Sequence, residues 1–131
     1  MKLHSTQTLQ YQTVTGYDQN DVEINAIRYR TSLLVLPELS PAVWPVANFA
    51  ALDVSHFETI AAHNPDVVIL GTGVKQRFVH PKLTVCLTNR RIGVECMDSQ
   101  AACRTYNILM TEGRKVALAL IIELGSDAKP N

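Results

Sequence analysis

The sequence predicts an α/β domain, and three observations carry that prediction. Residues 67–70, VVIL, form an uninterrupted apolar run rich in β-branched side chains, as expected of a strand covered on both faces. Residues 93–114, GVECMDSQAACRTYNILMTEGR, pass from a strand through a helix start into an amphipathic helix. The segment before Pro37 is β in texture.

Taken in order, Leu9, Tyr11 and Thr13 alternate, Val22, Ile24, Ile27 and Tyr29 follow around polar partners, and residues 33–36 form a continuous apolar run. Two or three antiparallel strands account for this pattern. Asn25-Ala26 sits where a tight turn belongs, and Asn tolerates positive φ better than most residues. Pro37, Pro41 and Pro45 then punctuate PELSPAVWPV. Proline lacks the backbone donor of a central strand, so this stretch reads as a loop or edge segment with Trp44 turned inward.

Ser55 is placed to cap a short helix through Ala62, with Phe57, Ile60 and Ala61 on its inner side, and Asn64-Pro65 stops it. The strand at 67–70 follows and ends in Gly71-Thr72-Gly73. His80-Pro81 opens another short helix to about Asn89, because proline at the first helical position lacks only a donor that would be unpaired anyway. Residues 92–96 make the next strand. Asp98 caps the main helix, which runs to about Glu112 and ends at Gly113, a residue suited to a left-handed conformation. Residues 115–122 close as the last strand.

A length of 131 residues matches one domain, 1–131, with about 1–5 and 125–131 expected as flexible ends. With 47% hydrophobic and 18% charged residues, the chain has apolar surface enough for one core. Twelve Lys or Arg balance twelve Asp or Glu, which argues against a nucleic-acid binder, since phosphate neutralisation draws on a cationic excess. The balance hides an asymmetry: three cations against seven anions through Asp66, net −4, then nine against five from Val67 onward, net +4. Cys86, Cys96 and Cys103 are odd in number and form no CxxC pair, so neither a disulfide framework nor a zinc ribbon is expected. A reducing compartment fits best. No apolar stretch approaches the roughly 20 residues of a membrane span. The start, MKLHSTQTLQ, shows no targeting pattern, so a cytoplasmic location without membrane insertion is expected.

DVVILGTG, then His80-Pro81, then GVECMDSQAACRTYNILMTEGRKVALALI together carry a resemblance across nearly the whole chain. They are similar to a small α/β family of unknown function that includes mitochondrial complex I assembly factor 3 and the adipogenesis-associated Mth domain-containing protein. The resemblance implies a three-layer domain: a central mixed β-sheet, helices on one side and an N-terminal β-hairpin element on the other. It brings no catalytic residues and no cofactor. For the mitochondrial relative it implies a role as assembly partner of other proteins, and this chain looks like a compact bacterial-type member.

If the strands at 67–70 and 92–96 run parallel, their carboxyl ends share one edge, where open α/β sheets bind ligands. Thr72, Gly73, Met97 and Asp98 would line that crevice, with Lys75, Arg77 and Arg104 in reach of an anion at the main-helix N-terminus. Alternatively, Gly71 and Gly73 only permit a tight turn and Asp98 only caps a helix, because GTG is no nucleotide fingerprint. Cys103, near the helix start and beside Arg104, is a candidate nucleophile. However, none of His4, His56, His63 and His80 is in a signature that places it beside Cys103, and a cysteine there also packs as a small hydrophobe. Asn107 is a poor mid-helix residue, explained either by a side-chain bond to the Pro-rich or GTG loop or by contact with a ligand. Asp18, Asp21 and Glu23 read as solvated hairpin positions, and no metal site is expected.

The expected function is that of a non-catalytic protein-binding module or assembly-factor-like protein, whose partner is another protein or a second copy. Trp44, with Pro41 and Pro45, is the expected contact surface, since an exposed indole in a rigid loop suits an interface core. A buried Trp44 excludes it. The alternative is a small-molecule or anion-binding enzyme or sensor using Thr72, Gly73, Asp98 and Arg104, with Cys103 and Asn107 beside them.

Overall fold

A computed structural model describes residues 10–123. The N-terminal strands β1 (Val14–Asp18), β2 (Asp21–Ile24) and β3 (Ile27–Tyr29) form an antiparallel meander. Asn25 and Ala26 turn the second hairpin with φ of 49° and 71°, the doubly left-handed geometry whose twist matches paired strands. Asn25 steadies this turn by accepting the Thr13 N–H at 3.1 Å. Residues 10–13 lie outside the strand expected there, and Leu9 falls outside the described residues. The Gln12 N–H donates instead to the Pro37 carbonyl at 2.9 Å.

The second sheet holds β4 (Leu33–Leu36), β5 (Leu39–Val43), β6 (Val67–Gly71), β7 (Gly93–Met97) and β8 (Val116–Leu120), in the order β5-β4-β8-β6-β7. β6 is parallel to β7 and β8, whereas β4 pairs antiparallel with β8 and β5. The sheet is therefore mixed, as expected, and the Pro-rich stretch supplies its edge. Central strands are apolar throughout because both faces are covered. Ile69, Leu118 and Leu120 point into one core, and Val68, Leu70, Ala117 and Ala119 into the other.

Three helices cover these faces: α1 (Val54–Ala61), α2 (Val85–Thr88) and α3 (Ser99–Thr111). A 3-10 turn at Pro81–Thr84 leads into α2. α1 starts two residues earlier than a Ser55 cap would allow. Asp53 is its N-cap, accepting the Ser55 N–H at 2.9 Å while its own N–H reaches His56 Nδ1 at 3.1 Å. α3 begins after Asp98 and ends before Gly113, whose φ of 82° takes the left-handed step.

The layering differs from the expected one. Ala102, Cys103, Tyr106 and Met110 of α3 share one face with Val14, Val22 and Ile24 of the meander, while Phe57 and Ile60 of α1 and Leu87 of α2 cover the other. The cause is the direction of the crossovers. The chain steps outward from β6 to β7 through α2, then back past β6 to β8 through α3, and right-handed connections running in opposite directions place their helices on opposite faces. The expected ends at 1–5 and 125–131 lie outside the described residues. Among the described residues no helix is long and apolar enough to cross a membrane.

Candidate functional site

β6 leaves the sheet through Gly71-Thr72-Gly73 and β7 through Met97-Asp98, and their connections depart to opposite faces. That divergence is where open sheets place ligands. Here the protein bridges the gap itself. The Thr72 N–H donates to the Met97 carbonyl at 2.9 Å, the Ser99 N–H to the Gly73 carbonyl at 2.8 Å, and the Gly73 N–H to Ser99 Oγ at 2.7 Å. Gly71 is set by close approach: a Cβ there would lie 2.6 Å from Leu120 Cδ1 and 3.0 Å from Ser99 Oγ. Gly73, at φ 98°, makes the left-handed turn that aims the loop back at α3.

Thr72 and Asp98 organise backbone. The buried Thr72 hydroxyl donates to the Lys75 carbonyl at 2.6 Å and accepts the Arg77 N–H at 3.0 Å. Asp98 accepts the Ala101 N–H at 2.9 Å. Arg77 is turned inward: its guanidinium donates to the Thr72 carbonyl at 2.6 Å, meets the Glu123 carboxylate at 3.1 Å, and lies 4.7 Å from the Phe49 ring centroid. Gln76 Nε2 donates to the Cys96 carbonyl at 2.8 Å, tying the loop to β7. These bonds hold a loop on which Val74 is 72% and Phe78 74% exposed.

What remains of the crevice is a notch of about 330 Å³, lined in part by Tyr17, Asp18, Gly73, Val74, Asp98 and Gln100. Its charged lining residues are acidic, and Arg104, exposed on α3, is not among them. The basic crevice expected from Lys75, Arg77 and Arg104 is thus replaced by one whose field opposes anions. Burial pushes the Tyr17 hydroxyl above its usual value, against a hydrogen bond with Ser99 that lowers it. The larger cleft, about 510 Å³, lies elsewhere, lined by residues that include Tyr11, Leu39, His63, Met110 and Arg114.

Cys103 is buried in the core, and the half-buried Asn107 is taken up by backbone bonds. Burial pushes the Cys103 thiol up to about 12, overriding the opposing field of Arg104, so no thiolate is poised there. Asn107 acts as a strand neighbour: its Oδ1 accepts the Val14 N–H at 2.9 Å and its Nδ2 donates to the Val14 carbonyl at 2.8 Å. Its partner is β1, not the Pro-rich or GTG loop. One residue before it, the Tyr106 hydroxyl donates to the Gln12 carbonyl at 2.6 Å.

The contact surface centred on Trp44 is corrected. Trp44 is 1% exposed, sits edge-on to Phe57, and donates its Nε1–H to the His56 carbonyl at 3.1 Å. It is turned inward because the chain folds back beneath α1 directly after β5. Pro45 is exposed but binds His56 Nε2 through its carbonyl at 2.9 Å, and Pro41 is half-buried in edge strand β5. Sequence reasoning missed Val74 and Phe78. The one available signal was two large apolar residues between a buried strand and a His-Pro helix start, in a segment with no periodicity to hide them.

Residues 14–121 match the family described as a protein of unknown function (DUF498/DUF598). The chain belongs to this family. The match runs from the first residue of β1 to just past β8, so it takes in both sheets and all three helices. A solved family-like structure from Bordetella parapertussis has a TM-score of 0.82 and 39% identity, covering 86% of this chain and 97% of that one. One from Bordetella pertussis, described as a Mth938-like domain, has a TM-score of 0.78 and 32% identity over 100% of both chains. Rattus norvegicus NADH dehydrogenase (ubiquinone) 1 alpha subcomplex assembly factor 3 is 29% identical over 88% of this chain and 63% of its own length. The chain spans 54% to 63% of the length of the first curated relatives it matches.

Proposed function

We propose that the chain is a non-catalytic protein-binding module that works as an assembly factor does, holding another protein through the loop after β6. The observation that carries this reading is the exposed pair Val74 and Phe78 on a loop fastened at Thr72, Gln76 and Arg77. Large apolar side chains on a rigid, pre-ordered loop suit an interface core, since little conformational entropy is lost on docking. The rat relative's name supports an assembly role, and the free state of Cys86, Cys96 and Cys103 suits a reducing, cytoplasmic setting.

The test is affinity purification of the tagged chain from its own cells at low salt beside a V74S/F78S double variant. A stoichiometric partner that the variant loses is expected. A partner retained by the variant would move the surface away from the loop. A second reading, small-molecule binding in the acidic notch, rests on Asp18 and Asp98 facing one cavity. It predicts a cationic or hydroxyl-rich ligand, and a solitary chain in the purification would favour it.

A further inference from the structure

β7 is the edge of the five-stranded sheet, paired only with β6 among the described residues. Its two kinds of residue can be told apart. The Met97 carbonyl accepts from Thr72 on the β6 side, so Met97, Glu95 and Gly93 turn their backbone groups inward, and Val94 and Cys96 turn theirs outward. The Cys96 carbonyl is taken from outside by the Gln76 amide at 2.8 Å. Among the described residues, the Val94 N–H, the Val94 carbonyl and the Cys96 N–H face outward without a backbone partner.

The opposite edge is built differently. β5 carries Pro41 at its middle, which removes a donor and blunts that edge against added strands. β7 has no proline. It is bordered instead by the loop bearing Val74 and Phe78, which Gln76 anchors to the outward face of the strand.

The side chains define what would fit. Val94 and Cys96 pack half-buried toward the α1 and α2 core, whereas Glu95 is exposed on the α3 side. We infer that β7 receives an extended partner segment by strand addition, a segment with apolar residues beside Val94 and Cys96 and a Lys or Arg opposite Glu95. This rests on the protein-binding reading above and names its partner's chemistry. A second copy of the chain fits less well. A two-fold pair of β7 strands is antiparallel, and the register that pairs Val94 with Cys96 sets Glu95 against its own copy, a like-charge pair.

The test titrates the isotope-labelled full chain with a blocked five-residue peptide bearing lysine at its centre and valine on either side. Controls are the same peptide N-methylated on its backbone, and one with glutamate in place of the lysine. The expected result is saturable shifts at Val94 and Cys96 with slowed exchange of both amides, lost on N-methylation. Glu95→Lys, at an exposed position, should weaken the lysine peptide about fivefold and favour the glutamate peptide. Shifts without exchange protection, no saturable response, or no charge reversal would each overturn the inference. So would self-association that protects the same amides without peptide, which would make the occupant a second copy. A partner that co-purifies and is lost by V74S/F78S, with β7 amides unresponsive, would remove strand addition while leaving the protein-binding reading in place.

Discussion

Asn107 shows how one side chain connects two halves of the fold. Its paired bonds to Val14 span 93 residues of sequence and occupy the side of β1 on which no strand pairs among the described residues. Asn107→Ala leaves the Val14 N–H and carbonyl without those partners and should cost about 1–3 kcal/mol. Urea unfolding reads the loss, and faster amide exchange across β1 and β2 locates it. Low helix propensity made Asn107 conspicuous in the sequence; a partner that far along the chain was not legible there, because nothing local encodes it. Cys103 gives a chemical contrast. Its thiol should resist alkylation in the folded protein, while the half-buried Cys86 and Cys96 react first, as mass spectrometry after a brief alkylation would show. Its titration also has a sign. The folded value of about 12 lies above the usual 9.0, so the native state keeps a proton that the unfolded chain releases. Stability should hold below about pH 9 and fall as pH rises toward about 12, with the buried Tyr106 hydroxyl, also raised, adding to the decline. Denaturant midpoints for the parent and Cys103→Ala between about pH 8 and about pH 11 measure it, and the variant should show the shallower decline.

Elements were the most legible scale. The limits of α3 followed from Asp98 as cap and Gly113 as left-handed stop, and β6 from its β-branched run, because these signals are local. The side of the sheet each helix covers was not local information: it follows from strand order, which only the assembled sheet reveals. Trp44 failed as a surface residue for a related reason. A proline-rich stretch suggested an exposed loop, yet the indole fills space beneath α1, and burial of an apolar ring decided its place. Trp44→Ala should therefore destabilise the fold by about 3–5 kcal/mol without acting on partner contact directly. Thermal unfolding reads the first effect, and partner binding below the variant's transition checks the second. Gly71→Ala tests the close approach of α3 to β6. A Cβ there would lie 3.0 Å from Ser99 Oγ and 3.2 Å from Ala102 Cβ on α3, and 2.6 Å from the terminal Leu120 Cδ1 of β8, so these neighbours must shift and a drop in melting temperature is expected.

Across the whole molecule, the same bonds that close the strand-end gap also shape the binding surface. Thr72, Ser99 and Gln76 use up donors that an anion would need, and in doing so hold Val74 and Phe78 outward. The candidate site was half legible. The sequence pointed to the correct loop and helix start, but the charges it gathered there, Arg77 above all, turn inward to Glu123 and Phe49. Side-chain direction depends on neighbours from elsewhere in the chain, so a cluster read from spacing alone carried the wrong sign. The most direct test of the protein-binding claim is hydrogen–deuterium exchange of the chain alone and in its native complex. Protection gained at residues 74–79 and 93–97 is the expected result. A complex that protects other segments and leaves these unchanged would contradict it.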